Sequence, residues 1–255
     1  MTTPATRGTQ WWPPVVFGIA VLALWQVVVV VGQVPAFLLP APSAIAAQIG
    51  SQFPVLLSTT LVTGSNALVG LVAGFVLGVA LALLAARSRL LAELATPVVL
   101  AASAVPIVAL APMFTTMFGS TTEIARRLVV TIVVVVPVFI STSRGLRQVL
   151  PVHAELMVAL AATPGQFARF VRLPGAIPYI MTGLRVAAPA AVIAAIVAEY
   201  FGGLQNGLGS RISSAAANTA YARAWAYVAA SIVLGLLFHL AGVLAERLAS
   251  RGRST

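Results

Sequence analysis

The chain has 255 residues, of which 60% are hydrophobic and only 8% charged, with a formal net charge of +10; soluble domains carry roughly 25% charged residues, so a soluble fold is excluded and a membrane is required. All fifteen basic residues are arginine, all five acids are glutamate, and Lys, Asp and Cys are absent. That inventory excludes a P-loop lysine, an aspartyl phosphate, thiolate chemistry and disulfides, so any ATP hydrolysis that drives this protein belongs to another chain.

Spans of about 17–25 apolar residues are the units to find. The first is predicted at Val15–Val31, behind Arg7 and the interfacial pair Trp11-Trp12. With no small-residue cleavage site after it, an uncleaved anchor fits better than a signal peptide. Residues 35–59 hold four prolines and no arginine, which predicts an external connection with a short amphipathic helix in "PAPSAIAAQIG". The second span, Leu61–Ala86, closes at Arg87 and Arg89. Its Gly70, Gly74 and Gly78 recur at every fourth residue, a ridge of small residues that lets helix backbones approach in lipid. A seam between two copies and packing within one chain both fit.

The third span, Leu94–Met117, is predicted to break or kink at Pro97, Pro106 and Pro112. Inside a bilayer such breaks are tolerated against protein or a water-lined cavity, so Pro106 and Pro112 are candidates for a translocation path. The fourth span is Leu128–Thr142, the fifth Ile177–Phe201 and the sixth Ala224–Ala245. Six spans place both termini on one side. That side holds ten arginines (Arg7, Arg87, Arg89, Arg144, Arg147, Arg169, Arg172, Arg247, Arg251 and Arg253) against Arg126, Arg127, Arg211 and Arg223 opposite. The excess makes the terminal side cytoplasmic, with Arg126-Arg127 running against the trend. Arginines scattered at span ends also argue against nucleic acid as a partner.

The longest cytoplasmic connection contains "ELMVALAATPGQFARFVRLPGAIP", Glu155–Pro178. A helix is predicted from Glu155 to Ala162, a break at Pro164-Gly165, a second short helix from Gln166 to Arg172, and a stop at Leu173-Pro174 before the fifth span. Such helices, too polar to insert and too apolar for free solution, suit either a groove on another protein or the surface of an anionic leaflet.

Of the isolated polar residues, Glu199 reads as a helix-end carboxylate near water, with the lining of a substrate path as the functional alternative. Arg185 reads as a snorkelling side chain, and His239 as a hydrogen-bond donor to a neighbouring helix. His153, without Cys or clustered carboxylates, is no metal ligand. "GGLQNGLG" after the fifth span reads as a flexible surface or re-entrant turn.

The segment resembles the "EAA" loop of ABC-importer permeases. In register, Glu155, Val171 and Leu173-Pro174 match, while Leu156 and Met157 replace two alanines and Ala161 replaces the bend glycine. "SAVPIVALAPMFTTMFG" and "LPGAIPYIMTGLRVAAPAAVIAAIVAEYFGGLQNGLGSRI" extend the likeness to the nitrate/sulfonate/taurine branch over about 58–247. The resemblance implies an all-α, type I ABC-importer permease fold of about six transmembrane helices with cytoplasmic termini. Residues 1–57 would be an anchor and external connection, 58–247 the transmembrane domain with its coupling loop at about 150–174, and 248–255 a basic tail. Glu155, Ala161, Pro164, Gly165, Arg169, Leu173 and Pro174 would contact or shape the joint with an ATPase. The implied partners are an ATPase dimer, a second permease, a solute-binding protein and the bilayer. The chain itself would be non-catalytic and without cofactor, moving a sulfonate, nitrate, a pyrimidine precursor or an aromatic acid by alternating access. A secondary transporter is the alternative, for which intramembrane carboxylates are scarce; a membrane enzyme lacks any cluster of catalytic side chains.

Overall fold

Helix after helix satisfies the backbone, as a bilayer requires. The computed structural model describes residues 12–251, and these form eleven α-helices and one π-helical turn. In order they are α1 (Trp12–Val31), α2 (Pro42–Ser51), α3 (Phe53–Ala85), α4 (Arg89–Ala104), α5 (Ile107–Phe118), α6 (Ile124–Arg147), α7 (Pro151–Ala159), α8 (Pro164–Phe167), the π turn Ala168–Arg172, α9 (Leu173–Tyr200), α10 (Leu208–Ala217) and α11 (Tyr221–Arg251). Arg7, Trp11 and the basic tail beyond residue 251 lie outside the described residues. Five helices are long and apolar enough to span a membrane, and the bent pair α4–α5 raises the number to six.

The core is the sandwich of α3, α6 and α9. Along α3, Gly70, Gly74 and Gly78 face Val130, Val134 and Val138 of α6, so the glycine ridge is an internal seam. Four-residue spacing on both helices puts each glycine opposite a fully buried valine. On the other side of α6, Gly145 abuts Tyr179 and Ala176, and Gly183 abuts Val138 and Ser141. Buried alanines of α9, including Ala187, Ala191, Ala194 and Ala195, complete the contact. By contrast α1 and α11 bury 6% and 11% of their apolar windows, which leaves their surfaces for lipid or other chains. α1 joins the bundle through the Trp25–Trp225 edge contact at 5.6 Å and through Gln26, which donates to Ser43 Oγ and accepts from its backbone N–H, both at 3.0 Å.

Two expectations change. α3 begins at Phe53, so the connection before it is shorter than residues 35–59. Of the three prolines in the third span only Pro106 breaks it. Val105, held extended at ψ 123° by the following proline ring, separates segments bent by 94°. Pro97 and Pro112 sit inside helices.

Candidate functional site

One end of the bundle carries the loop singled out by its sequence. α7 ends in a Schellman arrangement, in which Ala161 N–H donates to Val158 O at 2.9 Å and Ala162 N–H to Met157 O at 3.0 Å. The position that closes this motif is Ala161, at φ +48°. The bend therefore lies at Ala161, three residues before the expected break. Pro164-Gly165 does not make it. Pro164 is the first residue of α8, where its missing N–H costs nothing, and Thr163 and Gln166 form a reciprocal capping box around it. Left-handed backbone disfavours a Cβ by roughly 1–2 kcal/mol. Ala161→Gly is thus expected to slow hydrogen exchange at the amides of residues 161 and 162 severalfold, and Ala161→Val to accelerate it.

The predicted stop at Leu173-Pro174 is absent. The π turn runs into α9 with helical dihedrals at Leu173, making 164–200 one rod. Pro174 has no N–H for the carbonyl four residues earlier, and the widened turn is a known way for a helix to absorb such a defect. Arg172 lies over the Phe167 ring at 4.9 Å and Arg169 near Phe170 at 5.8 Å. No residue of α7 or α8 is buried, and Leu156 and Val158 are 54% and 80% exposed. Glu155, Pro164, Gly165 and Arg169 are likewise exposed. Leu173 is exposed and Pro174 half-buried at the root of the rod. What results is an exposed, largely apolar segment continuous with α9.

The opposite end holds a polar network. Glu123, just ahead of α6, pairs with Arg126 at 2.8 Å and accepts from Asn66 and Asn206 at 2.8 Å each. Arg126, 2% exposed, also donates to Asn206 Oδ1 at 2.7 Å and to the Leu204 carbonyl. Arg127 donates from Nε to Asn66 Oδ1 at 3.1 Å. Burial alone would raise the Glu123 carboxyl; the bond from Asn206, the Arg126 charge and the bond from Asn66 outweigh it and hold the group below the usual carboxylate range. The arginine pair that opposed the charge asymmetry is thus engaged in tying loop 201–207 to α3 and α6.

Glu199 is fully buried, which corrects the expectation of a helix-end carboxylate near water. Thr63 donates to its Oε2 at 2.8 Å, Gly209 N–H donates at 3.0 Å, and Leu208 N–H donates to Thr63 Oγ1 at 2.9 Å. Gly207 lies against the Glu199 carboxylate and Gly209 against the Ile196 carbonyl so closely that neither position has room for a Cβ. The glycine-rich loop is therefore locked, not flexible. Sequence reasoning passed over Thr63, Asn66, Glu123 and Asn206. Polar residues at 63 and 66 within an apolar helix, and an acid three residues before Arg126, were the available signals.

Pro106 and Pro112 both lie on the exposed side of the bent pair. Arg185 does not snorkel alone. It pairs with Glu246 at 2.8 Å, and Thr182 donates to the same carboxylate at 2.6 Å, tying α9 to α11. His239 is exposed and forms no hydrogen bond among the described residues. No group of three or more His or Glu among the described residues is arranged to hold a metal.

Comparison with known proteins identifies the family of the chain. Residues 70–253 match the family of binding-protein-dependent transport system inner membrane components. A probable ABC transporter permease protein of Haemophilus influenzae is 30% identical over 182 residues, 71% of this chain and 73% of that one. The formylaminopyrimidine transport permease protein ThiX of Halalkalibacterium halodurans is 31% identical over 193 residues, 73% and 74% of the two chains. The fold is that of a chain in inward-facing structures of the MetNI methionine ABC transporter, with TM-score 0.66 and 19% identity over 78% of this chain and 98% of that one. The chain belongs to the binding-protein-dependent transport system inner membrane component family and is a multi-pass permease subunit of an ABC importer.

Proposed function

We propose that α7, the Ala161 bend and α8 form the coupling element of this permease, and that an ATP-hydrolysing subunit grips it on the cytoplasmic side. The observation that carries this is the exposed apolar knuckle continuous with α9. Hydrophobic side chains held off the bundle need a partner, and a rod unbroken from Pro164 to Tyr200 conveys a push at one end to the other. Closure of two ATPases would draw two such knuckles together and turn the cavity between paired permeases outward. Hydrolysis would reset it. Glu155 and Arg169 are the charged contacts of the joint, and Ala161, Pro164 and Gly165 shape it.

The ten-to-four arginine asymmetry supports the cytoplasmic placement of this end, and the apparent exceptions, Arg126 and Arg127, are held in internal hydrogen bonds. Cargo selection would rest with an extracytoplasmic binding protein. The ThiX relative, named for formylaminopyrimidine transport, favours a small heteroaromatic cargo. Because the chain has no cysteine, single replacements test the scheme directly. Gly165→Cys is expected to cross-link to a subunit that hydrolyses ATP and to resist impermeant thiol reagents applied outside the cell, whereas Gln205→Cys at the far end reacts with them. Glu155→Arg combined with Leu156→Arg is expected to abolish the cross-link. Labelling of Gly165→Cys from outside, or a purified complex without ATPase activity, would overturn the scheme.

A further inference from the structure

At the coupling end, the last turn of α3, the first turns of α4, the end of α6 and the α8–π segment enclose an open cavity of about 960 Å³. Its walls divide by chemistry. Ala85, Leu146 and Phe167 are apolar, Ser88 and Ser143 bring hydroxyls, and Arg147 and Arg172 bring two guanidinium groups from separate elements. Among the described residues Arg147 has no hydrogen-bond or ion-pair partner, and Arg172 has none beyond its cation–π contact with the Phe167 ring. Two unpaired cations beside an apolar wall, where the spanning helix α3 ends, are suited to an anion that carries an apolar body.

We propose that this cavity binds a phosphate group, and that the phosphate is the headgroup of an anionic phospholipid drawn from the adjoining leaflet. Arg147 and Arg172 hold the phosphate oxygens. Leu84, Leu90 and Leu94, exposed beside the lining segments of α3 and α4, offer the acyl chains a surface. Glu93 also lines the cavity and is itself engaged. Phosphatidylglycerol, an anionic lipid whose headgroup charge is the phosphate alone, is the probe lipid for this site. A lipid seated here joins α6, through Arg147, to the 164–200 rod, through Arg172, and so restrains the swing of the coupling element. The choice of a lipid source rests on the cytoplasmic orientation proposed above.

The test uses the assembled protein in phosphatidylcholine nanodiscs doped with phosphatidylglycerol, with retained lipid read by native mass spectrometry. Wild type is expected to retain one phosphatidylglycerol. Arg147→Gln with Arg172→Gln is expected to weaken retention about thirtyfold, from the loss of two phosphate-facing charges at the membrane surface. Arg144→Gln, an exposed arginine outside the cavity, should leave retention unchanged. All three positions are exposed, so the variants should melt like wild type. Equal retention by the double variant, or retention indifferent to headgroup, overturns the site. Displacement of the lipid by millimolar inorganic phosphate overturns the lipid source in favour of a soluble phosphate. The labelling of Gly165→Cys is read separately, so an error in orientation is not confused with a failure of the site.

Discussion

Replacing Arg126 with methionine is expected to lower stability by about 3–5 kcal/mol, read as a shift of the unfolding equilibrium in mixed micelles of the purified protein. A buried ion pair is costly to break because the surviving charge stays desolvated without its partner. Here one guanidinium, 2% exposed, serves Glu123, Asn206 and the Leu204 carbonyl together, so its removal strands three acceptors at once. Changing both members, Arg126→Met with Glu123→Gln, is expected to cost less than the sum of the single changes. If the two losses simply add, the pair is not coupled. Acid provides an independent check. Glu123 is held below its ordinary value of 4.5. The stability it contributes is therefore complete above that value and is lost as pH falls through the lower folded-state value. Glu123→Gln should remove that segment of the pH profile. The same mutants should free loop 201–207, which a spin label at Gln205→Cys would report as increased mobility.

The apolar scaffold of this protein was legible in its sequence because membrane spans are written in long runs that little else produces. Span order, the glycine ridge and the knuckle were all visible at that level. The sequence was silent on partners. Gly70, Gly74 and Gly78 announced a close approach but not which helix approaches, since Val130, Val134 and Val138 of α6 carry no mark that distinguishes them from the valines beside them. Pro174 looked like a terminator because local rules disfavour proline within helices. The π turn before it is a tertiary accommodation that those rules do not contain. "TPGQ" shows the opposite error. Thr163 and Gln166 have the spacing of a capping box, a start signal that the Pro-Gly pair between them disguised as a break. Ala161 shows the limit of both propensity and motif, since the break was expected at Pro164-Gly165 and lies three residues earlier. An alanine gives no local reason to bend, yet its backbone is left-handed, at φ +48°. The polar network at the far end escaped because its members, Asn66, Glu123 and Asn206, are distant in sequence and become neighbours only when α3, α6 and the loop after α9 meet.

Gly74→Val is expected to be the most disruptive change within the apolar core. A Cβ at this position would lie 2.6 Å from Val134 Cβ and 2.7 Å from the Thr131 carbonyl. One of those neighbours is backbone and cannot rotate away, so α3 and α6 must separate. Overpacking in a close-packed interior costs about 1–3 kcal/mol, and a β-branched residue adds bulk beyond Cβ. Separation of these two helices also pulls on Asn66, one turn before the ridge, which holds Glu123 and Arg127. The damage should therefore reach the far-end network and appear as loss of the acid-sensitive part of the stability profile as well as lower stability overall. The decisive comparison is a size exchange. Gly74→Ala with Val134→Gly moves the small residue to the other helix while keeping a side chain in the gap. It is expected to recover part of the loss seen with Gly74→Ala alone, because the Val134 contact is relieved while the Thr131 carbonyl still meets the new Cβ. If the exchange is no better than Gly74→Ala, contact between these two positions does not set the approach of α3 to α6, and the ridge owes its glycines to something other than the valines it faces.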